Sequence, residues 1–515
     1  MSVEFDKIRL EKIARMREEN INPYPDQFTP THSLAEGPLL AEGTKGVAVC
    51  GRVVAIRDMG NLVFGKLQDV GGQFQFIFEK KTITPELLKW IKKNIDLGDH
   101  IGVNGYIFIT QRGEVSLMCE ALTLLSKGLL PLPEKWHGLQ ETELCYRKRY
   151  LDLVANPDTR KRFEVCIRAN RSLRGFLEKN GFVETLTPAM GPVASGALAT
   201  PFVSHHNALG VDVYLRIAPE TYLKRLLVGG FTKVYEFARC FRNEGVSAEH
   251  LQDFVMIEAY AAYWNYKDNM RFIRDMITTA VHEALGSSKV SFRGATYDLD
   301  TDWVTVTFRD VVLDGCGIDI DKYSTAPELF SAIREKSIDL EHPDLKSLGR
   351  GNLIDLLYKR VARPKLLAPT FLTEHPIDLS PLARRNSERP EVSDRFQLLI
   401  GGMELVNGYT ELADPVDQQE RFEEQLSLRD KGDVEALAPE YDFVEALGYG
   451  MPPASGWGMS IERFHMLITD SDNIKDVVLF PLMRPEAVGS ASRDETEAQE
   501  AEEESGGCDT GRLPQ

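Results

Sequence analysis

The first 130 residues alternate short apolar runs with turn residues, behind a charged N-terminal segment. Residues 1–20 have the spacing of an amphipathic helix. Two later stretches, 47–78 and 99–126, contain β-branched and aromatic runs that are interrupted at MGN, VGG and QRG. TPELLKWIKKNI, at 84–95, lies between them and has helical spacing. The pattern predicts about five short strands with one helix between the third and the fourth.

This order of elements is typical of the OB-fold, a small β-barrel that binds oligonucleotides on one face. The sequence leaves an alternative open, in which the same barrel serves only as a spacer. A helix followed by the proline-bearing connector NINPYPDQFTP precedes the barrel. We therefore expect a helix and connector over 1–44 and an OB-fold domain over 45–134.

A second pattern begins after the segment LPLPEKWHG, with longer helices and strands in mixed order. TRKRFEVCIRANRSLRGFLEKNG, at 159–181, predicts a helix that stops at Gly181. Strand-like runs follow at 211–218, 233–241, 253–264 and 401–412, several of them without a helix between. Adjacent strands of this kind favour an antiparallel sheet flanked by helices, and hence an α+β fold. We expect this domain to cover 135–486 and the acidic end, 487–515, to be a disordered tail.

Composition and charge narrow the class of protein. The 515 residues are 43% hydrophobic and 27% charged, as in ordinary globular proteins. No window offers the roughly 18 apolar residues of a membrane span, and the N-terminus lacks a secretory core. We therefore expect a cytoplasmic protein with no membrane partner. The net charge of −18 argues against nucleic-acid binding by the whole surface, although a local basic groove remains compatible with it.

The stretch FRNEGVSAEHLQDF, at 241–254, combines groups that bind phosphates and bases. Arg242 offers a planar charged fork for phosphate or carboxylate, His250 a second polar contact, and Phe254 a face for stacking. If the flanking strands pair, the loop arches over a ligand. The chain has neither GxxxxGK[ST] nor GxGxxG after a strand, so this is a nucleotide site without a glycine-rich cradle. The alternative is a surface hairpin with a salt bridge from Arg242 to Glu244.

Three motifs carry a family resemblance. FRNEG followed by His, Phe and MIE resembles motif 2 of the class II aminoacyl-tRNA synthetases. ASGWGMSIERF (454–464) resembles their motif 3, and GFVETLTP (181–188) resembles motif 1. LRIAPETYLKRLLVGG, GGMELVNGYTELADP and DVVLFPLMRPE are similar to the lysyl-tRNA synthetase subgroup. The resemblance covers about residues 45–486 and implies the activation of lysine with ATP and its transfer to the 3′ end of tRNA(Lys).

The resemblance implies a pocket with carboxylates for both ammonium groups of L-lysine, because closely related synthetases for acidic side chains need a cation instead. Unpaired carboxylates in a closed pocket cost several kcal/mol, so they select a dibasic ligand. Glu411 with Tyr260 or Tyr409 would receive the ε-ammonium, and Glu220 with Gly196 the α-ammonium. The implied lysine-binding set is Gly196, Glu220, Arg242, Glu258, Tyr260, Asn407, Tyr409 and Glu411.

The same resemblance implies the ATP site and a magnesium cofactor. Arg242, His250 and Arg463 would be the catalytic residues, with Arg463 and Phe254 on either side of adenine. The implied ATP-binding set is Arg242, Glu244, His250, Phe254, Glu404 and Arg463. Glu404 would ligate Mg²⁺, but Gln397 stands where the family has a second glutamate. Glu249 replaces a positive residue of the family's loop, and we expect it to point to solvent.

The barrel and motif 1 imply two partners. Phe64, Gln75 and Glu114 match family positions that read a uridine-rich anticodon as a splayed single strand. Pro188 of motif 1 implies a homodimer. Two other functions remain open: an adenylate-forming paralogue that lysylates a non-tRNA acceptor, and a tRNA-binding regulatory protein with a decayed active site. The known paralogues of the first kind lack the barrel, and only Gln397 and the altered loop favour the second.

Overall fold

The computed structural model describes residues 3–132, 141–193, 199–342, 344–430 and 439–485. The chain divides into two compact units, residues 1–160 and 161–515. The predicted tail at 487–515 lies outside the described residues, and the predicted domain limits stay predictions. None of the described helices is both long enough and apolar enough to cross a membrane.

The first unit contains the predicted N-terminal helix and a closed five-stranded barrel. Helix α1 spans Lys7–Glu18 and begins at Asp6, whose carboxylate accepts a hydrogen bond from the Arg9 amide at 3.0 Å. The barrel order is β1-β2-β3-β5-β4, with helix α2 between β3 and β4 as the sequence predicts for an OB-fold. The elements are β1 Lys45–Asp58, β2 Leu62–Asp69, β3 Gly72–Glu79, α2 Pro85–Asn94, β4 His100–Ile109 and β5 Val115–Ser126.

Period-two alternation builds the barrel interior. Inward positions of β2 and β3 are buried valine, leucine and phenylalanine, and the intervening positions face outward. Closure between β4 and β5 requires a glycine, because a Cβ on Gly105 would lie 1.9 Å from the Met118 carbonyl oxygen. The register of this pair shifts at the same place.

Helices α3 (Thr142–Arg147) and α4 (Arg149–Ala155) fall within the first unit. The Gln68 side-chain amide donates to the Val154 carbonyl at 3.2 Å, which joins α4 to the barrel. Helix α5, Pro157–Lys179, follows, and Gly181 beyond it has φ +81°, the left-handed conformation expected after a helix end.

The second unit is built on an eight-stranded sheet in the order β14-β15-β16-β17-β18-β11-β10-β6. From β15 to β10 every neighbouring pair is antiparallel, as predicted. The two edge strands, β14 and β6, pair in parallel instead. Five other strands form two small sheets, β7-β9-β8 and β12-β13. The strands of the whole unit are β6 Val183–Glu184, β7 Met190–Gly191, β8 Val203–His206, β9 Val211–Leu215, β10 Lys233–Phe241, β11 Asp253–Ala262, β12 Lys289–Phe292, β13 Ala295–Asp298, β14 Val304–Thr307, β15 Thr370–Pro376, β16 Val392–Ile400, β17 Met403–Thr410 and β18 Ala454–Ser460.

Helices pack on both faces of the large sheet, and one of the two faces also forms a cavity. Side chains of α5, α7 and α13 form the large core with β11, β16 and β18. Helices α6, α11 and α12 form a smaller cluster around Tyr260. The helices that follow α5 in the chain are α6 Glu220–Val228, α7 Tyr266–Leu285, α8 Phe308–Cys316, α9 Ala326–Glu335, α10 Arg350–Leu357, α11 Pro415–Asp430, α12 Tyr441–Gly448 and α13 Ile461–Thr469.

Candidate active site

The register of four central strands aligns polar residues in two rows across the sheet. One row contains Gln397, Asn407, Gly458 and Glu258. The next row contains Arg395, Tyr409, Gly456 and Tyr260. Residues two apart on a strand share a face, so both rows point to the same side. They line a cavity of about 790 Å³.

Two glycines of β18 keep this side of the sheet open. A Cβ on Gly456 would lie 2.2 Å from the Tyr260 ring and 2.6 Å from Glu411 Oε1. On Gly458, it would come within 3.0 Å of Met256 Sδ. Side chains at these positions would displace the groups around them, so glycine-rich motif 3 provides room for the site.

Three carboxylates form the acidic end of the cavity. Glu220 Oε1 accepts hydrogen bonds from Lys224 Nζ and from the Tyr409 hydroxyl, both at 2.5 Å. Glu258 Oε2 accepts one from the Tyr260 hydroxyl at 2.9 Å. Glu411 is not among the residues that line the cavity, but its Oε1 lies close to Gly456 and Tyr260, which do.

Lys224 connects Glu411 to Glu220, with Nζ 2.5 Å from Glu411 Oε2 and 2.5 Å from Glu220 Oε1. The contact with Glu411 is a close ion pair without hydrogen-bond alignment. All three glutamates and Lys224 are buried.

Burial and mutual repulsion perturb these groups. Loss of solvent, together with the charge of Glu220, raises the pKa of Glu258 to about 8. Burial also raises the pKa of Glu411 to about 8, although Lys224 opposes the shift. Burial alone would lower the pKa of Lys224, but Glu220 and Glu411 outweigh it and raise that pKa to about 12. Both shifts favour the protonated form of these carboxyl groups, and a cation bound beside them would favour the ionised form.

Arg242 lies at the other end of the site, directly after β10. Its backbone amide donates to the Gln252 carbonyl at 2.9 Å, which closes the loop predicted from the sequence. The guanidinium carbon lies 5.1 Å from the centre of the Phe254 ring. The buried Nε has no hydrogen-bond partner among the described residues. The salt bridge to Glu244 that a simple surface hairpin would have is not among the ion pairs of the described chain.

His250 and Arg463 contact each other in this structure. Arg463 donates to His250 Nε2 at 2.9 Å, and Ser247 Oγ lies 2.8 Å from Nδ1. Arginine only donates, so Nε2 is the acceptor and Nδ1 carries the proton. Burial and the charge of Arg463 lower the pKa of His250, which agrees with a neutral ring. For His250 to contact a phosphate, its contact with either Arg463 or Ser247 must be replaced by one with the phosphate.

We expected from the sequence that Glu249 would point to solvent. The structure instead places its carboxylate against two arginines. Its carboxylate pairs with Arg293 and lies 3.7 Å from Arg363. Although burial opposes the shift, these arginines lower the pKa of Glu249. The negative charge that replaces the family's cation is thus cancelled locally.

Gln397 and Glu404 line the same cavity. Gln397 is buried, and its carbonyl oxygen accepts a hydrogen bond from the Tyr358 hydroxyl at 3.1 Å. Both predicted metal ligands offer oxygen atoms, the donors that magnesium prefers. In the described part of the chain, no group of three or more His, Cys, Asp or Glu is arranged to hold a metal.

The structure brings most of the predicted residues together. Those that line the single cavity are Glu220, Arg242, Glu244, His250, Phe254, Glu258, Tyr260, Gln397, Glu404, Asn407, Tyr409 and Arg463. Gly196 lies outside the described residues. The sequence analysis did not single out Lys224 or Arg395. A signal for Lys224 was present, since a lysine four residues after Glu220 in an apolar helix shares its face.

The three predicted anticodon residues share a region of the barrel. Phe64 and Lys66 are two residues apart on β2 and therefore share a face, and Lys66 lies opposite Gln75 on β3. Gln75 donates to Ser116 at 2.8 Å, and Lys66 forms an ion pair with Glu114 at 3.0 Å. Phe64 is half-buried and lies outside the barrel core. An aromatic ring, an amide and a carboxylate are therefore grouped on the outer face.

Comparison with known proteins places the chain in a family. The family described as tRNA synthetases class II (D, K and N) matches residues 141–484, and the OB-fold nucleic acid binding domain matches 47–125. A lysine–tRNA ligase of Pelotomaculum thermopropionicum is 43% identical over 94% of this chain and 95% of that protein. The chain belongs to the lysine–tRNA ligase family. Lysine–tRNA ligases of Moorella thermoacetica (43% identical, 93% of this chain and 97% of that protein) and Dehalococcoides mccartyi (40%, 96% and 98%) agree.

The raised pKa values of Glu258 and Glu411 predict that lysine binds more tightly to this ligase as pH rises. Below about pH 8 the carboxylates carry protons that lysine must displace, so affinity rises from pH 6 to 8, by up to about tenfold per pH unit for each carboxylate. Calorimetry in buffers of different ionisation enthalpy will show one to two protons released per lysine at pH 7. Glu258→Gln lowers that number. A dissociation constant independent of pH between 6 and 8 would contradict the prediction.

Proposed function

We propose that this protein activates lysine with ATP and transfers it to tRNA(Lys). The observation that carries the proposal is one cavity lined both by buried carboxylates and by Arg242, whose buried Nε has no hydrogen-bond partner among the described residues. Such a cavity complements a doubly cationic amino acid joined to a phosphate. The 43% identity to lysine–tRNA ligases over nearly the whole chain supports the same substrate.

In this proposal the lysine lies along the two rows of the sheet. Glu411 with Tyr260 or Tyr409 receives the ε-ammonium, and Glu220 the α-ammonium, with Glu258 beside them. Gly196 completes the set by resemblance alone.

Asn407 and Arg242 hold the lysine carboxylate. Arg395 donates to Asn407 Oδ1 at 2.9 Å, so the amide nitrogen of Asn407 is the end left for that carboxylate.

The first step joins the lysine carboxylate to the α-phosphate of ATP and releases pyrophosphate. Arg242 contacts both reactants, which aligns them and offsets negative charge on the phosphate oxygens. His250 holds the terminal phosphates. Phe254 and Arg463 lie on either side of adenine, and Glu244 reads its edge. In the second step the 3′-terminal hydroxyl of tRNA takes the lysyl group, and AMP leaves.

Magnesium is proposed as the cofactor. Glu404 and the Gln397 carbonyl would hold it, with the ATP phosphates as further ligands. When bound, magnesium neutralises charge on the triphosphate. The amide at Gln397 contributes no charge, so we expect weaker binding than two carboxylates give.

The barrel is proposed to bind the anticodon through Phe64, Gln75 and Glu114. Stacking on Phe64 and hydrogen bonds from the amide and carboxylate suit an unstacked pyrimidine. The match of residues 47–125 to a nucleic-acid-binding OB-fold supports this role over that of a spacer. A role in translation supports the cytoplasm as the place of action.

A homodimer through motif 1 is supported by exposed apolar surface. Leu186 is 90% exposed, and Val183 and Met190 are also largely exposed. Val183 belongs to β6, the edge strand of the large sheet. Apolar side chains along an open edge indicate an interface.

The proposed function predicts pyrophosphate exchange into ATP that depends on lysine, followed by charging of tRNA(Lys). Exchange with aspartate or asparagine in place of lysine is expected to be absent, because their side chains are not cationic. Arg242→Ala should lower exchange by roughly 10²–10³-fold. Arg239→Ala, at an exposed arginine of the same strand paired with Asp253, is the matched control and retains activity.

The outcomes separate the alternative functions. Absence of lysine-dependent exchange would indicate a decayed site. Exchange without charging of purified tRNA(Lys) would indicate a different lysyl acceptor.

Gln397→Glu is predicted to lower the free Mg²⁺ concentration needed for half-maximal exchange, by about tenfold, because it adds one negative charge to the metal site. The measurement is exchange rate against free Mg²⁺ at fixed ATP. Gln425→Glu places the same charge elsewhere on the cavity wall and serves as the control. Identical titration curves for wild type and Gln397→Glu would remove Gln397 from the proposed site.

Leu186→Asp is predicted to weaken the homodimer, since it buries a charge in an apolar interface. Light scattering after size-exclusion chromatography across a dilution series will show dissociation at concentrations where wild type is dimeric. Val304→Asp is the control, because Val304 is an exposed residue on the opposite edge strand. A dimer unaffected by Leu186→Asp but lost in Val304→Asp would place the interface at the other edge.

A further inference from the structure

Lys224 is a cation of the protein itself that lies in the acidic end of the cavity. Its side chain is fully buried, and α6 presents it on the same face as Glu220, four residues earlier. The ammonium nitrogen lies 2.5 Å from Glu220 Oε1 and 2.5 Å from Glu411 Oε2. The centres of the Tyr409 and Phe443 rings are 5.4 and 5.6 Å away. Lys224 thus contacts the groups that the proposed function assigns to substrate lysine.

The two carboxylate oxygens of Glu411 have different neighbours. Lys224 holds Oε2 in a close ion pair. Oε1 is buried and has no hydrogen-bond partner among the described residues. It lies 2.6 Å from the point where a Cβ on Gly456 would stand, beside the Tyr260 ring, and both Gly456 and Tyr260 line the cavity. A buried carboxylate oxygen without a donor is unfavourable, so Oε1 is the atom that a ligand must satisfy.

The charges of the pocket match lysine only when Lys224 is included. Glu220, Glu258 and Glu411 carry three negative charges when ionised, and Lys224 offsets one. The remaining two equal the two ammonium groups of a lysine ligand. The ligand's carboxylate is met separately by Arg242.

We propose that Lys224 determines amino-acid specificity: by holding Glu411 Oε2, it leaves one oxygen that accepts an ammonium group and excludes a guanidinium. The inference rests on the proposed lysine pocket and names a positioning residue that acts through Glu411. Nothing in it requires Lys224 to touch the substrate.

The geometry of the two cations explains the exclusion. A guanidinium is a planar fork that pairs best with both oxygens of one carboxylate. Here it would find one oxygen, and its approach to the other would meet the charge of Lys224. Several of its donors would then be buried without partners, each at a cost. An ammonium is a compact charge and needs only Oε1 and a neighbouring acceptor.

The test compares lysine and arginine as substrates of pyrophosphate exchange, and arginine as a competitor of lysine. Lys224→Met removes the charge and retains most of the volume. We expect KM for lysine to rise, KM for ATP to stay unchanged, and the ratio of kcat/KM for lysine to that for arginine to fall by about 100-fold. The inhibition constant of arginine should fall in parallel.

Lys127→Met is the matched control. Lys127 is also fully buried between two carboxylates, with Nζ 2.5 Å from Asp96 Oδ2 and 2.7 Å from Asp99 Oδ2, but it lies in the barrel unit. Any general effect of deleting a buried lysine appears in both variants. The lysine-to-arginine ratio should change only in Lys224→Met.

Lys224→Gln covers the case in which Lys224→Met does not fold. A neutral amide still donates hydrogen bonds to the carboxylates but lacks the charge, so the ratio should fall in the same direction by a smaller factor. Lys224→Arg retains the charge and should restore discrimination. A folded Met or Gln variant with an unchanged ratio would overturn the inference and leave Lys224 as a structural ion pair. Lack of lysine-dependent exchange by the wild type would instead refute the proposed function.

Discussion

Buried negative charge is the constraint on which the active site depends. Three glutamates are buried close together, with one internal ammonium group to offset them. Desolvation and repulsion make their full ionisation unfavourable, which appears as the raised pKa values of Glu258 and Glu411. A neutral ligand cannot offset this buried negative charge, and a ligand with one positive charge offsets half of the two net charges that remain. The buried charges themselves therefore favour a dibasic ligand, before any contact with the reacting groups forms.

The antiparallel sheet makes this arrangement rigid. Several residues proposed to bind one ligand come from strands that are distant in sequence, yet their positions are fixed by the register of adjacent strands. Helices packed on the other face hold that register through the large apolar core. A site on paired strands has less freedom than a site on loops, so substrate alignment is provided largely by the fold. Outside the sheet lie Glu220 on α6, Arg463 on α13 and the motif 2 loop with His250.

Patterns within short segments were predictable, and relations between distant segments were not. The barrel followed from one helix between the third and fourth of five strands. The parallel pairing of β6 and β14 did not, because strands of two and four residues carry too little pattern. The site residues came from family motifs, which give positions and not partners. The ion pair of Lys224 with Glu411 joins residues nearly 190 positions apart, and that of Glu249 with Arg293 joins a loop to a separate hairpin. Neither partner could be read from its own segment.

These pairings also bear on whether the unusual residues indicate a decayed enzyme. A site released from selection accumulates charges without partners, since nothing removes them. Glu249 instead lies against Arg293 and Arg363, so its charge is offset where the family has a cation. Gln397 is held by the Tyr358 hydroxyl, which suits an amide oxygen as well as a carboxylate. Both departures are therefore accommodated by residues elsewhere in the chain. Such matched changes are expected of a site that still binds its ligands and has adjusted how it holds them.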